Sequence, residues 1–179
     1  VLGVAPDATG RPVLDLGIGD IVVNAFITAI GIAVTCIFVI LLITLRSITD
    51  AVLVFIPLLM TAAVTLSVSV LIDLPLNIAN VLVIPLIFGL GVDNGIHIVK
   101  RFHQCRSVTE LVESSTPKAV FLSNLTTLGT FCALSFSTHQ GIYSIGVLLT
   151  VALTSLMLLT LIALPALLAT FSSAKHDAE

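Results

Sequence analysis

Long apolar runs alternate with short polar ones along this chain. Residues 21–45, 51–72 and 74–92 contain no Asp, Glu, Lys or Arg. Residues 119–174 form a further uncharged stretch, broken near its middle by Ser137-Thr138-His139-Gln140-Gly141. About 20 apolar residues carry a helix across the hydrocarbon core of a bilayer. The pattern therefore predicts five spans, at roughly 25–45, 51–72, 78–99, 119–137 and 143–170, the last long enough to tilt. These runs are too long for the strands of a transmembrane barrel and lack strict alternation. The expected fold class is all-α, a polytopic helical membrane bundle. Residues 1–24 read as the end of an extracytoplasmic segment in which Val13-Leu14-Asp15-Leu16 forms a short strand, and residues 171–179 read as a tail.

Composition narrows the class further. Of 179 residues, 58% are hydrophobic and 9% charged, where a soluble domain carries about a quarter of its residues charged. That excludes a soluble globule, a disordered chain and a nucleic-acid binder with a basic face. Membrane lipids are the partners this composition implies, and nothing in it calls for a cofactor or a metal. With five spans, Arg46, Lys100, Arg101, Arg106, Lys118 and Lys175 fall on one side, and only Arg11 falls on the other. The positive-inside rule makes the first side cytoplasmic, with the N-terminus outside and the C-terminus inside. The chain opens on Val1 without an initiator Met, so it is expected to be a piece of a larger protein. Cys36, Cys105 and Cys132 form no disulfide framework and read as free thiols.

Asp93 is the exception among the ionisable residues, which otherwise mark loops and span ends. It sits in Phe88-Gly89-Leu90-Gly91-Val92-Asp93-Asn94-Gly95-Ile96-His97, inside the third span. A carboxylate at the centre of a membrane helix costs about 2.5–3.5 kcal/mol on insertion scales, so it gains by taking up a proton or a polar partner. His97 lies one turn on and Gly89 one turn back, on the same helix face. Gly91 and Gly95 form a small-xxx-small pair, expected on an adjacent face where another helix approaches closely. Pro85 is expected to kink this helix or free a carbonyl. Asp, clustered Gly and an upstream Pro in one span point to a transporter helix more than to simple packing.

The fourth span carries Ser123, Thr126, Thr127 and Thr130 at helical spacing, with Asn124 beside them. These hydroxyls either bond back to their own helix or form a polar lane that solvates Asp93. Residues 100–118 read as one short amphipathic helix with Val108, Leu111 and Val112 on its apolar side and Glu110 and Glu113 outward. Lys100, Arg101 and Arg106 are placed to touch anionic head groups.

The order of these features resembles the resistance-nodulation-division superfamily of proton-driven exporters. The run from Gly89 to His97, followed by Lys100-Arg101-Phe102-His103, is similar to the mycobacterial-membrane-protein-large branch and, within it, to exporters of hopanoids. The resemblance covers essentially the whole chain, as the last five helices of a protein of twelve. It implies an inner-membrane exporter that moves hopanoid-like lipids outward on proton influx, not an enzyme. Asp93 matches the family's proton-carrying aspartate, with Asn94, where many relatives have Tyr, and His97 as companions in the relay. The implied partners are the lipid substrate, the missing N-terminal half and further copies of the chain. The implied motion has the charge on Asp93 biasing the third span against the fourth through the Gly91/Gly95 surface. Three other readings compete, one of them a purely structural subunit. A sterol-sensing type of lipid-binding module would regulate without pumping. An intramembrane aspartyl protease needs a second membrane Asp and a Gly-x-Gly-Asp spacing, and neither is present.

Overall fold

In the computed structural model of the chain, the described residues are 11–74, 80–105 and 107–176. They form a bundle of helices: α1 (Arg11–Leu45), α2 (Ile48–Leu71), α3 (Val83–Phe102), α4 (Val108–Glu113), α5 (Ser115–Leu134), α6 (Gln140–Leu158) and α7 (Leu164–His176). A 3₁₀ turn at Asn80–Leu82 leads into α3. A π-helical segment at Leu159–Ala163 joins α6 to α7 without a break. The all-helical class expected from the apolar runs is what is found.

Four stretches are long and apolar enough to cross a membrane: Val23–Leu45, Ile48–Leu71, Asn80–Phe102 and Gln140–Phe171. The expected fifth span is α5, which falls short by that measure because Ser, Thr and Asn dilute its apolar residues. Val13-Leu14-Asp15-Leu16 is helix, not strand, because α1 runs unbroken from Arg11. A lone four-residue strand would have no partner for its backbone groups. The segment 100–118 is not one helix either. α3 extends to Phe102, and α4 has only 6 residues. Its start follows from Ser107, whose hydroxyl accepts the Glu110 N–H at 3.2 Å, with the carboxylate three residues on as in a capping box. Leu111 is fully buried, whereas Val112 is exposed. Residues 1–10, 78–79, Arg106 and 177–179, on which parts of the sequence reading fall, lie outside the described residues.

The two tight turns have local causes. Arg46 (φ 54°) and Asp73 (φ 52°) close α1 and α2 in the left-handed conformation that ends many helices. Ser47 then caps α2, its side chain accepting the Asp50 N–H at 3.3 Å. Pro85 falls in the first turn of α3, where a missing N–H costs nothing. The helix therefore runs on continuously instead of kinking. The irregular helix is the last span. Pro165 cannot donate to the carbonyl of Leu161, and its ring crowds that carbonyl. The wide turn at Leu159–Ala163 absorbs the mismatch.

Packing centres on α2, α3 and the α6–α7 rod. Leu53, Val54 and Leu58 of α2, Phe88 and Val92 of α3, and Leu153 and Leu156 of α6 share one buried cluster. Phe38, Phe55 and Phe88 tie α1, α2 and α3 together, with ring centroids 5.3 and 5.8 Å apart. Gly91 and Gly95 face this core. A Cβ on Gly91 would lie 2.7 Å from Leu156 Cδ1 and would also strike Leu58, and a Cβ on Gly95 would strike Val54. The close approach expected of this pair is thus to α2 and α6, not to the fourth span. In lipid, such van der Waals fit is a main source of helix association.

Candidate functional site

α3 presents different chemistry in three directions. A residue advances about 100° around a helix, so Gly91 and Gly95 lie nearly opposite Asp93, not on an adjacent face. Their side is sealed against α2 and α6. The opposite side is a stripe at three- and four-residue spacing: Leu82, Leu86, Gly89, Asp93, His97 and Lys100, all exposed. The Asp93 side chain is 76% exposed and that of His97 60%. His97 Nε2 stands 3.5 Å from Asp93 Oδ1, one turn along, as the spacing predicts. Gly89 has open space beyond it, since a Cβ there would meet nothing within 4 Å. The costly carboxylate thus sits on the face of α3 that the described residues leave uncovered.

Asn94 points elsewhere. It is buried, and its Nδ2 donates to Oδ1 of Asn124 on α5 at 3.0 Å. The Nδ2 of Asn124 is also buried and has no protein partner among the described residues. The stripe on α5 divides accordingly. Asn124 alone of its five positions makes a hydrogen bond to α3 among the described residues. Thr126 and Thr127 donate to the Ser123 carbonyl at 2.8 and 3.0 Å, and Thr130 donates to the Thr126 carbonyl at 3.1 Å. Ser123, Thr126 and Thr130 are exposed and Thr127 half-buried. Hydroxyls held by their own helix carbonyls are the less specific of the two readings this stripe allowed.

The amide pair should behave as a unit. Asn124→Leu alone strands the Asn94 amide in an apolar interface, and a loss of about 1–2 kcal/mol is expected. The double variant Asn94→Leu/Asn124→Leu removes both partners and should recover much of that loss. Thermal melts in detergent of the two single variants and the double variant measure the coupling. Strictly additive losses would show that the pair does not couple.

Sequence reasoning passed over a second polar pair, at the basic end of the bundle. Asp50 in the first turn of α2 lies 2.8 Å from Nε2 of His103, just past the end of α3. The Asp50 side chain is 13% exposed and that of His103 58%. The pair joins two helix termini 53 residues apart. Nothing in the local sequence pattern signals so distant a contact.

Four span-length apolar helices define a polytopic membrane protein, and α3 carries a carboxylate–imidazole pair on its exposed face. The MMPL family model matches residues 9–179, and the chain belongs to that family. It is 44% identical over 168 residues to the hopanoid transporter HpnN of Rhodopseudomonas palustris, and 33% identical over 168 residues to the hopanoid transporter HpnN of Burkholderia multivorans. Both matches take in 94% of this chain and 19% of the relative. A membrane protein of Methanocaldococcus jannaschii is 29% identical over 177 residues, covering 93% of this chain and 45% of that protein. The chain thus spans about a fifth of the length of the two hopanoid transporters. The resemblance drawn from the Gly89–His97 run is the family found, and two of its relatives are named as hopanoid transporters.

Proposed function

We propose that this chain forms part of a proton-driven exporter of hopanoids or related lipids, in a bacterial inner membrane. The carrying observation is the Asp93–His97 pair on the uncovered stripe of a span-length helix. A charge facing hydrocarbon is expensive, so ionisable residues within spans face a protein interior or a water-filled path. The remainder of the transporter is the natural cover for that face, and Gly89 leaves room for it. The names of the two bacterial relatives supply the substrate class.

In this reading Asp93 takes up a proton from the periplasmic side and releases it towards the cytoplasm, the side that carries Arg46, Lys100, Arg101 and Lys118. His97 lies one turn closer to that side and receives or orients the proton. Gly91 and Gly95 lock α3 onto α2 and α6, so these three helices move as one body. The change of charge on Asp93 then biases this body against the covering half, and not α3 against α5. α1, a continuous helix of 35 residues, is the stiff element that carries the motion to the substrate-handling domains outside the membrane.

The test uses the intact transporter in proteoliposomes loaded with a hopanoid. Lipid transfer to an external acceptor should follow an imposed proton gradient and stop on addition of a protonophore. Transfer at the same rate with and without the gradient would overturn the proposal.

A further inference from the structure

A cavity of about 450 Å³ opens beside α5 at the basic end of the bundle, and no residue of the Asp93 stripe lines it. Its walls are apolar: Ile98 of α3, Val112 of α4, Phe121 and Leu122 of α5, and Leu161 and Pro165 of the last span. Lys118 is the one charged residue lining it and is itself exposed. No carboxylate of the described residues lies within ion-pair distance of that ammonium.

Three features bear on what this cavity holds. First, Leu161 and Pro165 lie within the span Gln140–Phe171, so the cavity opens at membrane depth, where acyl chains surround the protein. Second, the π turn at Leu159–Ala163 and the proline after it shape one wall. A regular helix would continue its side-chain rows across this place. Third, a cation stands at the N-terminal end of α5. Lys118 falls in the first turn of α5, which contains no acidic residue and whose cap residue Ser114 makes no side-chain capping bond. The positive end of the helix dipole and a cation thus coincide, and they repel one another unless an anion lies between.

We infer that this cavity binds an anionic phospholipid of the surrounding leaflet, with an acyl chain between Phe121, Leu161 and Pro165 and the phosphate on Lys118. Basic pockets between membrane helices recognise head groups through this combination of charge and apolar wall. The lipid bridges α4, α5 and the last span at the irregular turn. It therefore stabilises the join between the α4 segment and the rod that follows.

The chain contains no Trp, so a tryptophan introduced at the cavity wall is the sole indole signal. Leu122→Trp is placed in nanodiscs of phosphatidylcholine doped with brominated phosphatidylglycerol or, in parallel, with brominated phosphatidylcholine. The brominated anionic lipid should quench at about one-fifth of the mole fraction needed for the neutral one, the enrichment one lysine gives at an anionic surface. Lys118→Glu should abolish that preference and Lys118→Arg should keep it. Equal quenching by the two lipids, or a preference that survives Lys118→Glu, overturns the inference. If Leu122→Trp does not fold, Val112→Trp on the facing helix gives the same reading.

Discussion

Replacing Asp93 by Asn in the intact transporter should reduce lipid export to the level of cells lacking the protein, while the amount of protein in the membrane stays normal. The substitution keeps size and hydrogen-bonding capacity but removes the site that gains and loses a proton. Among the described residues Asp93 makes no buried contact that folding depends on. Its close polar neighbour among those residues is His97 at 3.5 Å, and both side chains are mostly exposed. Folding should therefore tolerate the change, whereas a cycle driven by proton movement cannot run without it. His97→Gln is the graded companion. If His97 only orients or relays, export should fall partially, because the carboxylate remains. Export is scored as hopanoid reaching the outer membrane, alongside an immunoblot of the membrane fraction. Wild-type export by Asp93→Asn would remove the carboxylate from the mechanism and with it the proton-driven reading.

Much of this architecture is written in where the charges fall. Asp20, Arg46, Asp73, Lys100 and Lys118 bracket the apolar runs, and helices occupy the runs they mark out. The cost of burying backbone groups in hydrocarbon leaves few alternatives to a helix there. The errors arose where that constraint relaxes. Residues 11–24 mix Gly17, Gly19 and acids with apolar positions, so neither helical nor strand periodicity dominates, yet α1 begins at Arg11. Pro165 was visible inside the last apolar run, but whether a proline bends a helix, starts one or forces a π turn depends on its neighbours in space.

The site was legible in chemistry and less so in direction. Helical geometry alone puts Asn94 about 100° from Asp93 and Gly91 and Gly95 nearly opposite. Neither Asn94 nor the glycines therefore share a face with the carboxylate. Which helices those faces meet is a tertiary fact. The glycines meet Leu58, Val54 and Leu156, and Asn94 meets Asn124, 30 residues away. The insertion cost of Asp93 says that something must cover it, and about four-fifths of the named transporters' length lies beyond this chain.

Gly146→Leu should be the most damaging substitution for the fold itself. α5 and α6 touch at this glycine so closely that a Cβ would lie 2.5 Å from the Ser135 nitrogen and 2.6 Å from the Leu134 carbonyl carbon. At Gly91 and Gly95 the crowding atoms belong to side chains, which can turn away. At Gly146 two of the three nearest atoms are backbone, so the helices themselves must separate. A loss of about 3 kcal/mol is expected, at the upper end of the usual range for overpacking. Gly129→Leu is the matched control. It lies on the open side of α5, where a Cβ meets nothing within 4 Å, and it should leave the melting temperature in detergent nearly unchanged. Separation of the two helices should also speed alkylation of Cys132, which is half-buried on α5. Matching melts and matching Cys132 reactivity in the two variants would show that the α5–α6 contact does not hold the bundle together.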